Sequence, residues 1–261
     1  MPARATPSPA EINPKDLIEG LGKGLRVIEA FDDEHPRLTA SEAAQRAGIT
    51  RSAARRHLLS LVHFGYAATD GKQFWLAPRV LRLGQSYLGA ARLPRLVQPF
   101  IQRISMQCGE TVNVSVLDGH EVVYLARSSS PRWISIGYAV GVRVPAHVVT
   151  PGMVILASRS DAEIEAWVEQ HEFTGFTAHT VTDKERFRAE VREARTLDYS
   201  CTRQQLDLAL SGISVALKDR RGVCKGALGM SVPSATYSNG QMVDKLLPLL
   251  REAAQLLRPL L

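Results

Sequence analysis

The chain has 261 residues, 45% of them hydrophobic and 6% aromatic. That length supports two packed cores, and so much aliphatic content excludes a disordered chain. The formal net charge is +6, which favours polyanionic partners, nucleic acid ahead of an anionic membrane. No apolar run reaches the roughly 18 residues of a membrane span. Residues 1–14 are rich in Pro and Ala and lack the apolar stretch of a secretory signal, so they are expected to form a disordered arm. Cys108, Cys201 and Cys224 make no CxxC pair and no metal-ligand spacing. They are expected to be reduced structural thiols in a cytoplasmic protein, with no metal and no cofactor.

The first helical pattern runs from Asp16 to Phe31, where Leu21, Leu25, Ile28 and Phe31 recur as one apolar stripe. His35-Pro36 breaks the chain. Thr39-Ala40-Ser41-Glu42 then reads as a capping box that opens a short helix to Ala47, closed by Gly48. Thr50 caps a longer helix, Arg51 to Phe64. Ala54, Leu58 and Leu61 share one face of it, and Ser52, Arg56 and Leu59 lie opposite, flanked by Ala53 and Arg55. A short capped helix, a Gly-containing turn and a longer helix with early basic residues have the spacing of a helix-turn-helix.

In that arrangement the second helix enters the DNA major groove by its N-terminus. Arg51, Arg55, Arg56 and His57 cluster at that end, where arginine can pair with guanine through two bonds. Thr50 or Ser52 can reach phosphate or base, and Thr39 and Ser41 of the preceding helix are grouped with them. Cations at a helix N-terminus oppose the helix dipole, a cost that incoming phosphates would offset. The alternative is an ordinary solvated helix face. Residues 67–76 form a hairpin pattern turned at Asp70-Gly71, with Lys72 at its tip, which reads as a wing. Pro78 opens a further helix whose Val80, Leu83 and Tyr87 align on one side as a connector or dimer surface. The organisation expected is therefore a winged helix-turn-helix over 15–77, a linker helix over 78–91 and a second domain over 92–261.

The second domain reads as α+β. A helix pattern covers Leu93–Gln107. Hairpins are expected around Asp118-Gly119 and Asp219–Gly222, and further helices over Asp161–Glu172, Asp183–Leu197 and Gln241–Leu257. In the first strand, Val112, Val114 and Val116 alternate with Thr111, Asn113 and Ser115. The stretch from His147 to Met153 leads into an apolar helix. Open backbone N–H groups at a helix start attract carboxylates, Gly152 would let a ligand approach, and Thr150 could cap the helix or bond the ligand. The alternative is a plain capped helix start.

Four segments carry a family resemblance: Phe74 to Gly84, Val116 to Arg127, Gly141 to His147, and Leu246 to Ala254. The chain resembles the IclR family of bacterial regulators from about Leu17 onward, most closely its branch that controls aromatic-acid catabolism. The resemblance implies a winged helix-turn-helix joined by the linker helix to a GAF-like effector-binding domain. It implies double-stranded operator DNA and a small aromatic or dicarboxylic acid as partners, and a homodimer or dimer of dimers. By the same resemblance the loop at Thr150 and Gly152 holds the effector. Asn113, Ser115, Arg127, Arg132, Tyr138, His147, Met153, Arg203, Gln204, Ser214 and Ser231 are further pocket candidates. Two departures stand out: Met153 where Lys or Arg is frequent, and Gln205 where the branch usually carries an acid. The latter would favour a more negatively charged ligand. Two rival functions fit the sequence less well. Against an enzyme, the chain has seven histidines but no HExxH, GxSxG, P-loop or GxGxxG motif. Against a protein-binding adaptor stands the arginine-rich start of the second helix.

Overall fold

The computed structural model describes residues 12–128 and 137–261. Most of the arm expected over 1–14 lies outside the described residues, as does Arg132. The chain divides into two compact units, Met1–Tyr87 and Leu88–Leu261.

In the first unit, α1 spans Glu19–Glu29. It starts later than the pattern suggested, because Pro14 opens a separate 3-10 turn and Leu17 is extended (φ −90°, ψ 133°). The leucine stripe is not the buried face: Val27 and Ala30 are buried, while Leu21 and Leu25 are exposed. The glycine side of α1 approaches its neighbour instead, since a β-carbon on Gly24 would lie 3.5 Å from His57 Nδ1. Strand β1 (Leu38–Thr39) precedes α2 (Ala40–Ala47). The capping box forms: the Glu42 N–H donates to Thr39 Oγ1 at 3.4 Å, and the Thr39 N–H to Glu42 Oε2 at 2.7 Å. Gly48 ends α2 at φ 63°, and Thr50 caps α3 (Arg51–His63) by accepting from the Ala53 N–H. Each such cap contributes about 1 kcal/mol. Ala54 and Leu58 of α3 are buried in a core with Val27, Leu38, Ala43 and Phe74.

Strands β2 (Ala67–Thr69) and β3 (Gln73–Leu76) make the hairpin, in a sheet of order β1-β3-β2. Gly71 alone of the turn has positive φ (96°), and Asp70 Oδ1 accepts from the N–H groups of Lys72 and Gln73. The turn is thus held by the Asp70 side chain, and Gly71 supplies its left-handed residue. Strand β1 escapes sequence reading because two residues show no alternation. After a 3-10 turn at Pro78–Val80, α4 (Leu81–Ala90) carries the division between the units.

The second unit holds α5 (Arg92–Cys108), β4 (Thr111–Asp118), β5 (Glu121–Arg127), β6 (Arg143–Pro145), α6 (Thr150–Ala157), α7 (Asp161–Gln170), α8 (Lys184–Leu197), β7 (Ser200–Arg203), β8 (Leu210–Lys218), β9 (Cys224–Pro233), α9 (Asn239–Lys245) and α10 (Leu247–Leu257). The one closing helix expected over Gln241–Leu257 is broken, because Pro248 in the first turn of α10 cannot donate back into a continuous helix. The six strands form an antiparallel sheet of order β6-β5-β4-β9-β8-β7. Their alternation sorts the two faces. Val112, Val114, Ile213, Val215, Leu228 and Met230 pack with Ile101 of α5 and Leu250 of α10. On the other face stand Gly212 and Ser214 of β8, Gly229 and Ser231 of β9, and Asn113 of β4. These small side chains leave room for α6, all eight of whose residues are buried.

Gly152 makes the approach of α6 to the preceding segment possible. A β-carbon there would overlap the Ala146 carbonyl. The Gly152→Ala variant is therefore expected to lose about 1–3 kcal/mol of stability through overpacking, read as a lower urea midpoint with an unchanged slope.

Candidate functional site

A small cleft of about 40 Å³, partly open to solvent, lies between the start of α6 and the small-residue face of the sheet. Its floor follows from strand register: Ser214, Gly229 and Asn113 lie side by side on β8, β9 and β4. Ser214 leans into the space that a side chain at Gly229 would fill. Its Oγ bonds Thr150 Oγ1 at 2.7 Å, tying the start of α6 to the sheet. Asn113 is 3% exposed and donates from Nδ2 to Ser231 Oγ at 3.2 Å. Asn113 Oδ1 and Ser211 Oγ are buried and have no hydrogen-bond partner among the described residues. A buried polar group left unsatisfied costs about 1–3 kcal/mol, so Asn113 Oδ1 calls for a guest, while Ser211 lies on the opposite face of β8 with Ile213.

Two tyrosines flank this floor, with the Tyr124 and Tyr138 rings 5.1 Å apart. Burial raises the Tyr124 phenol well above its usual range. Burial and the nearby Asp207 carboxylate push Tyr138 up to about 12. Both phenols are neutral at physiological pH, available as donors and as aromatic walls. Tyr124 reaches this face through a β-bulge. The pairing shifts from Val114↔Ala126 to Ser115↔Tyr124, which turns Tyr124 to the side opposite Ala126.

Five of the expected pocket residues line the cleft: Asn113, Tyr138, Thr150, Ser214 and Ser231. The others do not. Gly152 packs on Ala146, and Met153 is 1% exposed in the core with Trp167 and Phe187. Ser115 is buried beside the floor. Arg127 sits at the end of β5, its carbonyl accepting from Gln98 Nε2. Arg203 is exposed and donates to the Ser234 carbonyl, and Gln204 Nε2 donates to the Leu208 carbonyl. Thr150 is the first helical residue rather than the cap. The Gly152 and Met153 N–H groups both donate to the Val149 carbonyl, and Pro151 has none, so the helix start offers fewer open donors than its sequence suggests. The Asp207 carboxylate also lines the cleft, so Gln205 does not leave the wall free of negative charge. Tyr124, Thr202, Asp207, Ser211, Gly212 and Gly229 were not anticipated. The run of Gly and Ser at alternate positions of β8 and β9 was the available signal for the two glycines.

His147 belongs to a separate cluster. It is fully buried, and its Nε2 lies 3.0 Å from the Thr174 carbonyl. A carbonyl only accepts, so Nε2 carries the proton and the bare Nδ1 accepts from His171 Nε2 at 2.7 Å. His120 stacks on His171 from the other side. Burial, together with His147 and His120, lowers His171 to about 4 from its ordinary 6.5.

On α3, Arg51, Ser52, Arg55 and Arg56 are exposed around the first turns. Thr50 Oγ1, which caps the helix, lies 3.3 Å from Ser52 Oγ. Among the described residues none of these three arginines has an ion-pair partner. Elsewhere in this unit arginines satisfy helix-end carbonyls: Arg26 on Ala47, Arg46 on Ala30, Arg79 on Phe64. His57 instead packs against α1 and Ala53 is half-buried, while Ser41 on α2 and Lys72 at the hairpin tip are exposed. The Thr39 hydroxyl is engaged in its cap. An exposed Arg37, stacked 4.2 Å above the Trp75 ring, adds a cation to the wing that sequence reading missed.

A helix-turn-helix with a hairpin wing, followed by an α+β domain holding a polar cleft, defines the class: a winged-helix transcription regulator with a sensing domain. Residues 20–71 match the family model described as the IclR helix-turn-helix domain, and residues 85–258 match that of the bacterial transcriptional regulator IclR C-terminal domain. The chain belongs to the IclR family of bacterial transcriptional regulators and acts as a regulator, not an enzyme. It is 38% identical to the p-hydroxybenzoate hydroxylase transcriptional activator of Acinetobacter baylyi, over 97% of this chain and 95% of that protein. An IclR homologue from Microbacterium hydrocarbonoxydans, solved in complex with 4-hydroxybenzoate, superposes with a TM-score of 0.73 at 26% identity, covering 92% of this chain and 97% of that one. A double mutant of the PobR inducer-binding domain from Acinetobacter, in complex with 3-hydroxybenzoic acid, matches with a TM-score of 0.62 at 30% identity, covering 66% of this chain and all (100%) of that one. Among the described residues no helix is long and apolar enough to cross a membrane.

A histidine whose folded pKa lies below its unfolded value binds its proton more readily when unfolded, so acid destabilises the fold. For His171 that loss begins as pH falls through 6.5 and is complete below about 4. Urea unfolding at pH 7 and pH 4.5 is expected to show a smaller acid loss in His171→Gln than in the wild type.

Proposed function

We propose that this regulator controls a catabolic operon and that its cleft takes a small aromatic acid of the hydroxybenzoate class, whose binding alters operator binding or activation. The observation that carries this reading is the cleft itself: two neutral tyrosines beside a buried floor with an unsatisfied amide oxygen. A flat ring can lie against the paired tyrosines, and polar substituents answer the floor. The relatives with hydroxybenzoates in their names support the same class. A dicarboxylic acid is the second reading, but the Asp207 carboxylate in the wall opposes added negative charge. With purified full-length protein, 3- or 4-hydroxybenzoate is expected to raise the melting temperature by several degrees at saturation. No shift with any ring acid would remove the reading.

For DNA, we propose that Arg51, Arg55 and Arg56 meet the major groove, with Thr50 and Ser52 on phosphates and Lys72 and Arg37 on the backbone beside the wing. Pairing of two heads is proposed through the exposed apolar residues of this unit. Ile18 is 78% exposed, Leu21 64% and Leu81 68%, which is more apolar surface than a lone domain usually shows to water. A homodimer is the assembly proposed, with a dimer of dimers as its extension; a monomer mass in sedimentation would contradict both. In gel shifts, Arg56→Ala is expected to lower operator affinity about tenfold or more, a deficit that persists at low salt if Arg56 reads a base. Recovery at low salt would reduce it to a phosphate contact.

A further inference from the structure

We propose that Asn113 is the residue that selects the effector for a ring substituent able to donate a hydrogen bond. This deepens the reading of the cleft as an aromatic-acid site and rests on it. Asn113 stands in the floor on β4, paired with Gly229 of β9, and lines the cleft. It is 3% exposed, so bulk water does not serve it. Its Nδ2 is occupied by Ser231 Oγ. Its Oδ1 has no partner among the described residues.

The other polar atoms of the cleft are less demanding. The hydroxyls of Thr150, Ser214 and Ser231 rotate, and each can donate or accept as a ligand requires. The two phenols are likewise donors and acceptors. The Asp207 carboxylate is on an exposed residue and keeps its hydration, and its Oδ1 also accepts from the Ala209 N–H at 2.8 Å. An amide oxygen can only accept. Gln205 Oε1, the other buried amide oxygen of the cleft, already accepts from the Val181 N–H, so among the described residues Asn113 Oδ1 is the buried side-chain acceptor of the cleft whose fixed requirement for a donor is unmet. A ligand that displaces solvent from this point without returning a donor leaves the oxygen unsatisfied. Sites built around such a bond reject analogues lacking it far more strongly than apolar pockets reject a missing methylene.

The test is calorimetric titration of the full-length protein with two series. One is 3- and 4-hydroxybenzoate with 3- and 4-aminobenzoate, which bring a donor. The other is benzoate with 3- and 4-fluorobenzoate, which do not. The wild type is expected to bind the best donor-bearing acid about 10- to 100-fold more tightly than its fluoro counterpart. The aminobenzoate with its substituent at the preferred position should side with the hydroxy acid. If the Asn113 amide were turned the other way, an acceptor would be wanted and the aminobenzoates would bind no better than the fluorobenzoates; that result overturns the proposal. In Asn113→Leu, which keeps the size and removes the acceptor, the preference should shrink to within about twofold while benzoate still binds. A preference retained in a folded Asn113→Leu also overturns it. The wild-type series needs no variant, so a poorly folding Asn113→Leu leaves the test standing. If no ring acid binds the wild type, the aromatic-acid reading fails and this inference with it. If the acids bind without regard to the substituent, only this inference fails.

Discussion

Everything about the sensing unit depends on how closely one short helix can lie against a sheet. Helix α6 is buried on every side, so it has no solvent face to offer. It reaches its place because Gly152 lets it meet the Ala146 backbone and because the strands beneath present Gly212, Ser214, Gly229 and Asn113. The opposite face of the same strands carries Val, Ile, Leu and Met into a core with α5 and α10. Each large side chain buried there stabilises the fold by about 1.5–3 kcal/mol, which offsets a second face that is small and polar. The cleft is thus a product of strand alternation: one face is spent on stability, and the other is left to recognition.

The wall of the cleft is linked to the histidine cluster through one stretch of chain. His147 holds the Thr174 carbonyl, and a few residues on the Thr177 and Thr180 hydroxyls donate to the carbonyls of Gln204 and Gln205 at 2.5 and 2.6 Å. Gln205, Leu206 and Asp207 are cleft residues. The segment between α7 and α8 is therefore a strap, anchored by neutral imidazoles at one end and by threonines at the other, that sets where the wall stands. A protonated His147 would face the His171 N–H with a second donor, so the lowered pKa values and the geometry describe the same neutral arrangement.

The DNA-binding unit shows the same division of labour among its arginines. Those on α1, α2 and near the wing complete helix ends whose carbonyls lack intrahelical partners. Among the described residues those at the start of α3 complete no helix end, and they sit where the helix dipole disfavours them. Charge placed against the fold's own electrostatics is the signature of a surface built for an outside anion.

Local chemistry was legible in the sequence wherever one residue type decides the backbone. The capping box at Thr39 and Glu42, the left-handed Gly48, the Thr50 cap and the turns at Gly119 and Asp219 all read directly, because their hydrogen bonds span four residues or fewer. So did the helix-turn-helix, the α+β class and the alternation of β4 that sets Asn113 with Thr111 and Ser115 opposite the valines. What needed the tertiary structure was anything set by distant chain. Gly152 read as an opening for a ligand and is a contact with Ala146. Met153 and His147 read as pocket residues and are core. The leucines of the apolar stripe on α1 are exposed, while Val27 and Ala30 enter the core. Tyr124 reached the cleft only through a bulge, which shifts strand parity by one and leaves no mark in the pattern of the strand that carries it.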